Sequence, residues 1–201
     1  MIYNELSSIE KRIVDEFLIT EKTGVLSMID EDGFPYAIPI NYHYMKESIY
    51  MHGRLEGKKM SLLKNAPKAQ FTVFREFAYI PSYASGSVAC SAGYFFLSVL
   101  FSGEIRFVES PDEKVEILSE MMKKYQPEGR FDRMDDMSVY RKRIDLTSVF
   151  FLKPEHTSVK LKFGQNLIPE RYEKTKDFLL ARGLPGDHTA VEMMDLLREK
   201  S

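Results

Sequence analysis

Apolar residues recur along the chain at two spacings, and each spacing predicts a different element. Between residues 6 and 18 they recur at helical spacing, which predicts an amphipathic N-terminal helix. Short apolar runs at 25–29, 36–44 and 49–52 predict strands. The first two runs flank a turn sequence ending in Gly33, which is typical of a hairpin with glycine where the backbone needs a positive φ.

The pattern continues with a short helix over 58–64, a strand over 69–79 and a long strand over 94–109. Gly103 lies in the middle of the long strand, where it indicates a bulge or a barrel corner. Residues 110–113 read Ser-Pro-Asp-Glu, a capping box with proline at the first helical position. The helix that begins there has an apolar face formed by Val115, Leu118, Met121 and Met122.

Alternating positions predict two more strands, over 143–152 and 157–163. Two C-terminal helices follow, one from residue 169 to Gly183 and one over 189–199. The fold is therefore predicted to be mainly β with peripheral helices. Residues 1–165 are expected to form the β domain with its N-terminal helix, and residues 166–201 a helical appendage packed on it.

Composition limits the possible partners. The chain has 201 residues, 44% of them hydrophobic, and a net charge of −2, which does not favour nucleic acid. Its single cysteine excludes an internal disulfide and is ordinary for a reduced cytoplasm. We find no signal peptide and no run near the roughly 18 apolar residues of a membrane span. We therefore expect a cytoplasmic protein without a membrane partner.

The clearest chemical signal is a strand that passes through a glycine loop into a helix beginning with Lys58 and Lys59. A helix start leaves amide N–H groups unpaired and carries partial positive charge, so it attracts phosphate. Two lysines there oppose the helix dipole, which suggests that a bound anion offsets them. The alternative is a solvated helix face. The glycine loop favours the phosphate role.

Several segments together resemble a known family. They are Phe34-Pro35-Tyr36-Ala37-Ile38-Pro39-Ile40-Asn41-Tyr42, Ile49-Tyr50-Met51-His52-Gly53, Gly57-Lys58-Lys59 and Asn65-Ala66-Pro67. From about residue 24 to 109 the chain resembles the pyridoxamine 5'-phosphate oxidase-like flavin-binding split barrels, closest to the nitroimidazole-resistance branch. The resemblance implies an FMN-binding split β-barrel and a homodimer in which both chains contribute to the flavin site.

The resemblance also implies a set of cofactor-binding residues. In the oxidase branch a serine precedes the basic pair; Gly57 stands there in this chain, so a backbone N–H or Arg54 is expected to replace the hydroxyl contact. The strand over 36–44 is expected to lie along the flavin ring, with Asn41 and the Tyr42 backbone as polar contacts. Within the basic pair the resemblance favours Lys59 over Lys58 as the phosphate ligand. The full set is Pro39, Ile40, Asn41, Tyr42, Met51, His52, Gly53, Arg54, Lys58, Lys59 and Ser98.

His52 is the candidate catalytic residue. The resemblance places it beside the flavin, where an imidazole donates a hydrogen bond or delivers a proton near neutral pH. The alternative is a structural histidine at a strand end. His43, His156 and His188 lie at no metal-ligand spacing from it, so we predict no metal site.

The predicted function is an FMN-dependent oxidoreductase that reduces a small organic acceptor, with NADH or NADPH as reductant. One alternative keeps the barrel and replaces FMN by haem or a deazaflavin, and another is a non-catalytic flavin-binding sensor that signals through its C-terminal helices. The loop over 81–93 is either a lid or a surface loop without a ligand role. Cys90 within it is expected to be inert, because no His, Lys or Arg lies in that loop.

Overall fold

The structure is a computed structural model that describes residues 1–84, 86 and 88–198. Within these ranges the chain forms seven strands and six α-helices, so the predicted mainly β fold with peripheral helices is confirmed. The strands are β1 (Thr23–Ile29), β2 (Pro35–Asn41), β3 (His43–Met45), β4 (Ser48–Arg54), β5 (Lys68–Ile80), β6 (Gly93–Val108) and β7 (Thr147–Lys162). The helices are α1 (Ser8–Thr20), α2 (Lys58–Asn65), α3 (Pro111–Tyr125), α4 (Met137–Asp145), α5 (Pro169–Arg182) and α6 (Asp187–Arg198).

All seven strands belong to one sheet, in the order β2-β1-β5-β6-β7-β4-β3. β1 pairs antiparallel with β2 on one side and β5 on the other. β4 pairs antiparallel with β3 and with β7. The non-sequential neighbours β7 and β4 bring the C-terminal strand beside the one that leads into the glycine loop.

The N-terminal helix, α1, begins directly after its N-cap residue, Ser7. Ser7 and Glu10 form a reciprocal capping box, in which the Ser7 side chain accepts from the Glu10 amide and the Glu10 side chain accepts from the Ser7 amide. The buried face of α1 is Ile13, Val14, Phe17 and Leu18, as the apolar spacing predicts. Gly33 has a φ of 83°, so the predicted hairpin between β1 and β2 is also confirmed.

The predicted strand over 36–44 is wrong in one respect, because it is interrupted at Tyr42. The Tyr42 amide donates to the Tyr125 hydroxyl at 2.8 Å, and the Tyr42 hydroxyl donates to the carbonyl of Leu18 at 2.9 Å. The Lys124 ammonium donates to the carbonyls of both Leu18 and Tyr42. These tertiary bonds take the backbone of Tyr42 out of the ladder and divide the run into β2 and β3.

The predicted strand over 143–152 is wrong at its start. Residues 143–145 end helix α4, whose N-terminus is capped by Asp136 accepting from the Ser138 amide at 3.0 Å. From Thr147 the chain is one strand, β7, which includes the predicted strand over 157–163. Pro154 is tolerated because the pairing of β7 with β4 ends at Leu152, opposite Ile49.

Helix α3 begins at Pro111 as predicted, with a simpler cap. Ser110 Oγ accepts from the Glu113 amide at 3.4 Å, whereas the return bond of a capping box is absent in the described part of the chain. The helix buries Ile117, Leu118 and Met121, and Val115 and Met122 are only partly covered. The buried residues of α3 pack with Ile144 of α4 against the strands, in a cluster that includes Tyr50, Val108 and Val149.

Gly103 lies where β6 passes close to the backbone of β7, and this gives a first prediction. A Cβ at Gly103 would overlap the carbonyl oxygen of Lys153. We expect Gly103→Ala to lower the free energy of unfolding by about 1.5 kcal/mol through overpacking, measured as a lower urea midpoint. Gly86→Ala is the control, because no atom lies within 4 Å of its Cβ position. Equal midpoints for the two variants would contradict the close approach.

The chain divides into two compact units. The first unit contains residues 2–73 and 100–158, and the second contains residue 1, residues 74–99 and residues from 159 onward. In the second unit, Gly183 ends α5 with a left-handed φ of 62°, and Arg182 pairs with the buried Asp187 at the start of α6. The predicted boundary at residue 165 stays a prediction. No helix among the described residues is long and apolar enough to cross a membrane.

Candidate functional site

Strand β4 carries four predicted site residues at its end, Met51, His52, Gly53 and Arg54. Met51 is fully buried, His52 is exposed and Gly53 is half-buried. The pairing with β7 continues past them, with Val149 opposite His52 and Ser148 opposite Gly53. The backbone around His52 is therefore fixed by the pairing with β7 before the chain enters the glycine loop.

Helix α2 begins without the usual side-chain cap. Its N-cap is Gly57, with a φ of 113° that favours glycine, and no acidic residue lies in the first turn. The first amides of a helix have no partner within the helix, and among the described residues no side chain caps them here. The buried residues Met60, Leu62 and Leu63 anchor the helix within the first unit. The result is an anchored helix start with positive partial charge and two lysines.

Lys59 is the cation that this arrangement leaves without an anion. Its ammonium lies 5.4 Å from the centroid of the Phe150 ring and 2.7 Å from the position that a Cβ would take on Gly53. No carboxylate pairs with Lys59 among the described residues. Burial lowers the pKa of its half-buried ammonium. Gly53 thus allows a partly desolvated, unneutralised cation to lie beside the end of β4.

Lys58 has a different environment. Its ammonium lies 3.1 Å from Asp30 Oδ2 and 4.8 Å from the centroid of the Tyr36 ring. The hydrogen bond from Lys58 is the largest cause that lowers the pKa of Asp30. Lys58 is therefore tied to the hairpin between β1 and β2, whereas Lys59 is not.

The imidazole of His52 is exposed, and yet burial lowers its pKa, with the positive charge of Lys59 as the second cause. The two observations agree for a ring that is open to water on one side and packed with protein atoms on the other. At neutral pH the ring is therefore uncharged, and it keeps one N–H donor and one nitrogen acceptor.

Coupling between the two residues gives a second prediction. In Lys59→Ala we expect the pKa of His52 to rise, because the variant removes the positive charge that disfavours the imidazolium. Proton NMR titration of the histidine ring signals measures this pKa, and the spectrum of His52→Gln identifies the resonance. Lys64→Ala removes an exposed charge from the last turn of the same helix and should leave the pKa of His52 unchanged. A rise of equal size in both variants would contradict the coupling.

The remaining predicted site residues lie on β2, at Tyr42, at the end of β4 and on β6. Ile40 is half-buried and Asn41 exposed, and Asn41 Oδ1 accepts from the Thr23 hydroxyl at 3.3 Å. Tyr42 is buried, and its backbone N–H and C=O are both bonded within the protein. β2 contacts β4, the strand that carries His52. Three candidates complete the set: exposed Pro39 on β2, exposed Arg54 at the end of β4 and half-buried Ser98 on β6 in the second unit.

Phe150 is the site residue that the sequence did not indicate. It is fully buried on β7, and its ring faces the ammonium of Lys59. Its strand position opposite Met51 follows from the pairing of β7 with β4, which joins segments about 100 residues apart. The alternation along β7 shows that Phe150 is buried, but nothing local to it indicates Lys59.

The family model described as pyridoxamine 5'-phosphate oxidase matches residues 10–161. The chain belongs to this family. The predicted resemblance and the split-barrel fold are thereby confirmed. No curated protein matches the chain.

Solved structures with the same fold extend the comparison. One is a protein from Bacteroides thetaiotaomicron named as a candidate for 5-nitroimidazole antibiotic resistance, with a TM-score of 0.63 and 17% identity over 79% of this chain and 85% of that one. An FAD and haem binding protein from Mycobacterium smegmatis has a TM-score of 0.62 and 18% identity, covering 76% of this chain and 71% of its own. A flavocytochrome from Azotobacter vinelandii has a TM-score of 0.63 and 18% identity, covering 76% of this chain and 67% of its own.

Proposed function

We propose that the chain binds FMN and that the start of helix α2 holds the FMN phosphate. The observation that carries this proposal is the environment of Lys59, a half-buried ammonium without a carboxylate partner in the described ranges, at a helix start that no side chain caps. A phosphate at this position accepts from the first amides of α2 and neutralises Lys59. Membership of the pyridoxamine 5'-phosphate oxidase family supports the same ligand.

The remaining residues of the first unit fit the rest of such a ligand. Ile40 on β2 offers an apolar surface, and Asn41 a side-chain amide. Arg54 extends from the end of β4, where a guanidinium offers donors to a second phosphate oxygen. Lys58 is assigned a weaker, electrostatic part because Asp30 already pairs with it. When bound, FMN supplies hydride-transfer chemistry that no side chain of the protein provides.

We propose that the protein is an oxidoreductase, with NADH or NADPH as reductant and a small organic molecule as acceptor. His52 has the chemistry to orient and protonate such an acceptor, because its neutral ring keeps an N–H donor and its basic nitrogen takes up protons from water. The proposed setting is a cytoplasmic homodimer.

Releasing the ligand from the purified protein by heat tests the cofactor. We expect a compound with the mass and absorbance of FMN, and added FMN should bind if the protein is purified without it. NADH or NADPH consumption with nitroaromatic and quinone acceptors then tests the activity. A haem or deazaflavin spectrum would overturn the FMN assignment. FMN binding without turnover for any acceptor would favour the flavin-binding sensor.

The homodimer gives a third prediction. At micromolar concentration we expect light scattering to give twice the mass of one 23.4 kDa chain. The resemblance implies a flavin site built from both chains, and large apolar side chains such as Phe74 and Tyr83 are 59% and 74% exposed in the isolated chain. A monomer mass with FMN still bound would contradict the shared site.

A further inference from the structure

The first unit contains a cavity of about 280 Å³, and all of its lining residues belong to that unit. Most of its wall comes from residues 2–4, the turn between β3 and β4, and the part of β7 that follows its pairing with β4. Ser48 lines the cavity at the start of β4, whereas His52 lies near the end of that strand, roughly 13 Å away at about 3.3 Å per residue. The residues proposed to hold FMN are not among those that line the cavity.

Aromatic rings form the apolar part of the lining. Tyr44 stacks on the buried ring of Phe101, with centroids 6.3 Å apart and ring planes 30° from parallel. Tyr3 is fixed from the other side, because its hydroxyl donates to Asp15 Oδ1 of α1 at 2.7 Å. The cavity therefore offers a ligand a flat apolar surface whose rings are already held in place.

The backbone around these rings is held at two points. Ile2 forms a bridge with Ser158 of β7, which brings the N-terminal segment to the cavity. Gly103 brings β6 against β7, since a Cβ there would overlap the carbonyl oxygen of Lys153 and lie 3.2 Å from the amide nitrogen of Glu155. Lys153 and Glu155 consequently have fixed backbone positions in the wall of a preformed cavity.

Charged side chains of both signs line the cavity without ion-pair partners. Glu47 and Glu155 pair with no cation, and Lys153 with no carboxylate, among the described residues. Lys46 also lines the cavity, but it already pairs with Glu116 at 3.6 Å. The cavity thus presents two carboxylates and one ammonium group, a set that complements a molecule carrying both an ammonium and a carboxylate group.

The turn that carries Glu47 has a backbone conformation that its residues do not favour. Lys46 and Glu47 have φ values of 51° and 54°, in the left-handed region. They connect the paired residues Met45 and Ser48, and a two-residue turn of this kind favours Asn-Gly. The chain therefore keeps a carboxylate where glycine fits the backbone better. Backbone strain of this kind clusters at functional sites.

We propose that this cavity binds a small zwitterion, a free α-amino acid. Glu47 and Glu155 pair with its ammonium group and Lys153 with its carboxylate, while its side chain covers the ring of Tyr44. The volume lies just below the roughly 300–1,000 Å³ of sites for drug-sized ligands, which suits a ligand of this size. Sequence reasoning missed the site because the turn and this part of β7 are about 100 residues apart, and the pairing of β4 with β7 brings them together.

Three related molecules test the two charges of the ligand. L-Phenylalanine carries both charges, phenethylamine lacks the carboxylate, and 3-phenylpropionate lacks the ammonium group. In equilibrium dialysis we expect L-phenylalanine to bind, and each analogue to bind about fivefold more weakly, because ion pairs with exposed side chains are weak. Saturating FMN should leave the affinity unchanged. No binding of phenylalanine, leucine or glycine, equal binding of the two analogues and phenylalanine, or competition by FMN would each overturn the site.

Glu47→Gly separates ligand binding from folding. Glycine accepts the left-handed backbone and removes the carboxylate, so the urea midpoint should rise while the affinity for L-phenylalanine falls about fivefold. Arg130→Gly is the matched control, because Arg130 also has a positive φ, of 64°, and does not line the cavity. It should raise the midpoint and leave the affinity unchanged.

Lys153→Gln tests the other charge of the site. It should weaken L-phenylalanine binding about fivefold, whereas Glu192→Gln, at an exposed position on α6, should not change it. Unchanged affinity in both Lys153→Gln and Glu47→Gly would overturn the proposal. So would an equal loss of affinity in Glu47→Gly and Arg130→Gly, since the loss would then follow the backbone change and not the carboxylate.

Discussion

Replacing Lys59 by alanine should raise the dissociation constant of FMN about 10- to 150-fold, which corresponds to about 1.5–3 kcal/mol. The half-buried ammonium has no anion in the described structure, so the FMN phosphate is its expected partner. Its charge lies beside Phe150 rather than in bulk water, and a charge-assisted hydrogen bond there is worth more than one on an open surface. Fluorescence titration of FMN measures the dissociation constant directly.

Two other lysines of α2 make this experiment specific. Lys64→Ala removes an exposed charge from the last turn, so affinity should change by less than about threefold. Lys58→Ala removes a side chain that already pairs with Asp30, so the loss should be smaller than for Lys59→Ala. Unchanged affinity in Lys59→Ala would remove the phosphate from the start of α2. Equal losses of FMN affinity in all three variants would mean that the net positive charge of α2, and not the position of Lys59, sets the affinity.

The elements that the sequence predicted correctly are those with signals inside the element. The apolar spacing of α1, Gly33 in the first hairpin and Gly183 at the end of α5 act over a few residues, so the sequence carries their whole cause. The interruption at Tyr42 has a different origin. Its partners are Leu18 and Tyr125, one before and one far after it in the chain, and no local pattern contains them.

The candidate site also has local features that the sequence predicts and non-local contacts that it does not. The glycine loop and the two lysines are adjacent in sequence, so a helix that starts after Gly57 with two lysines in its first turn was predictable. The residues alone did not predict which lysine remains free of an ion pair. Asp30 of the first hairpin pairs with Lys58, and Phe150 of the last strand lies beside Lys59, and both are far from the lysines in sequence. The same holds for Cys90, whose expected inertness was argued from its own loop, whereas its charged neighbours come from β7.

His52→Gln should separate binding of FMN from catalysis. Glutamine keeps a donor and an acceptor but does not titrate, so FMN affinity should stay within a few-fold of the parent. If the imidazole delivers a proton, turnover should fall by about 100-fold or more. Steady-state turnover with a nitroaromatic acceptor and FMN titration give the two readouts independently. His156→Gln is the control, because that side chain is exposed and lies on the far part of β7.

The pH profile of the parent protein decides how His52 acts. Burial and the charge of Lys59 lower its pKa below the ordinary value of 6.5. If the imidazolium is the proton donor, turnover is highest below that pKa and falls as the pH rises through it. If the neutral N–H only orients the acceptor, turnover stays level above the pKa and declines in acid, where the ring becomes charged. A normal rate in His52→Gln would exclude proton delivery and leave the FMN site intact, whereas loss of FMN binding would make His52 a structural residue of the site.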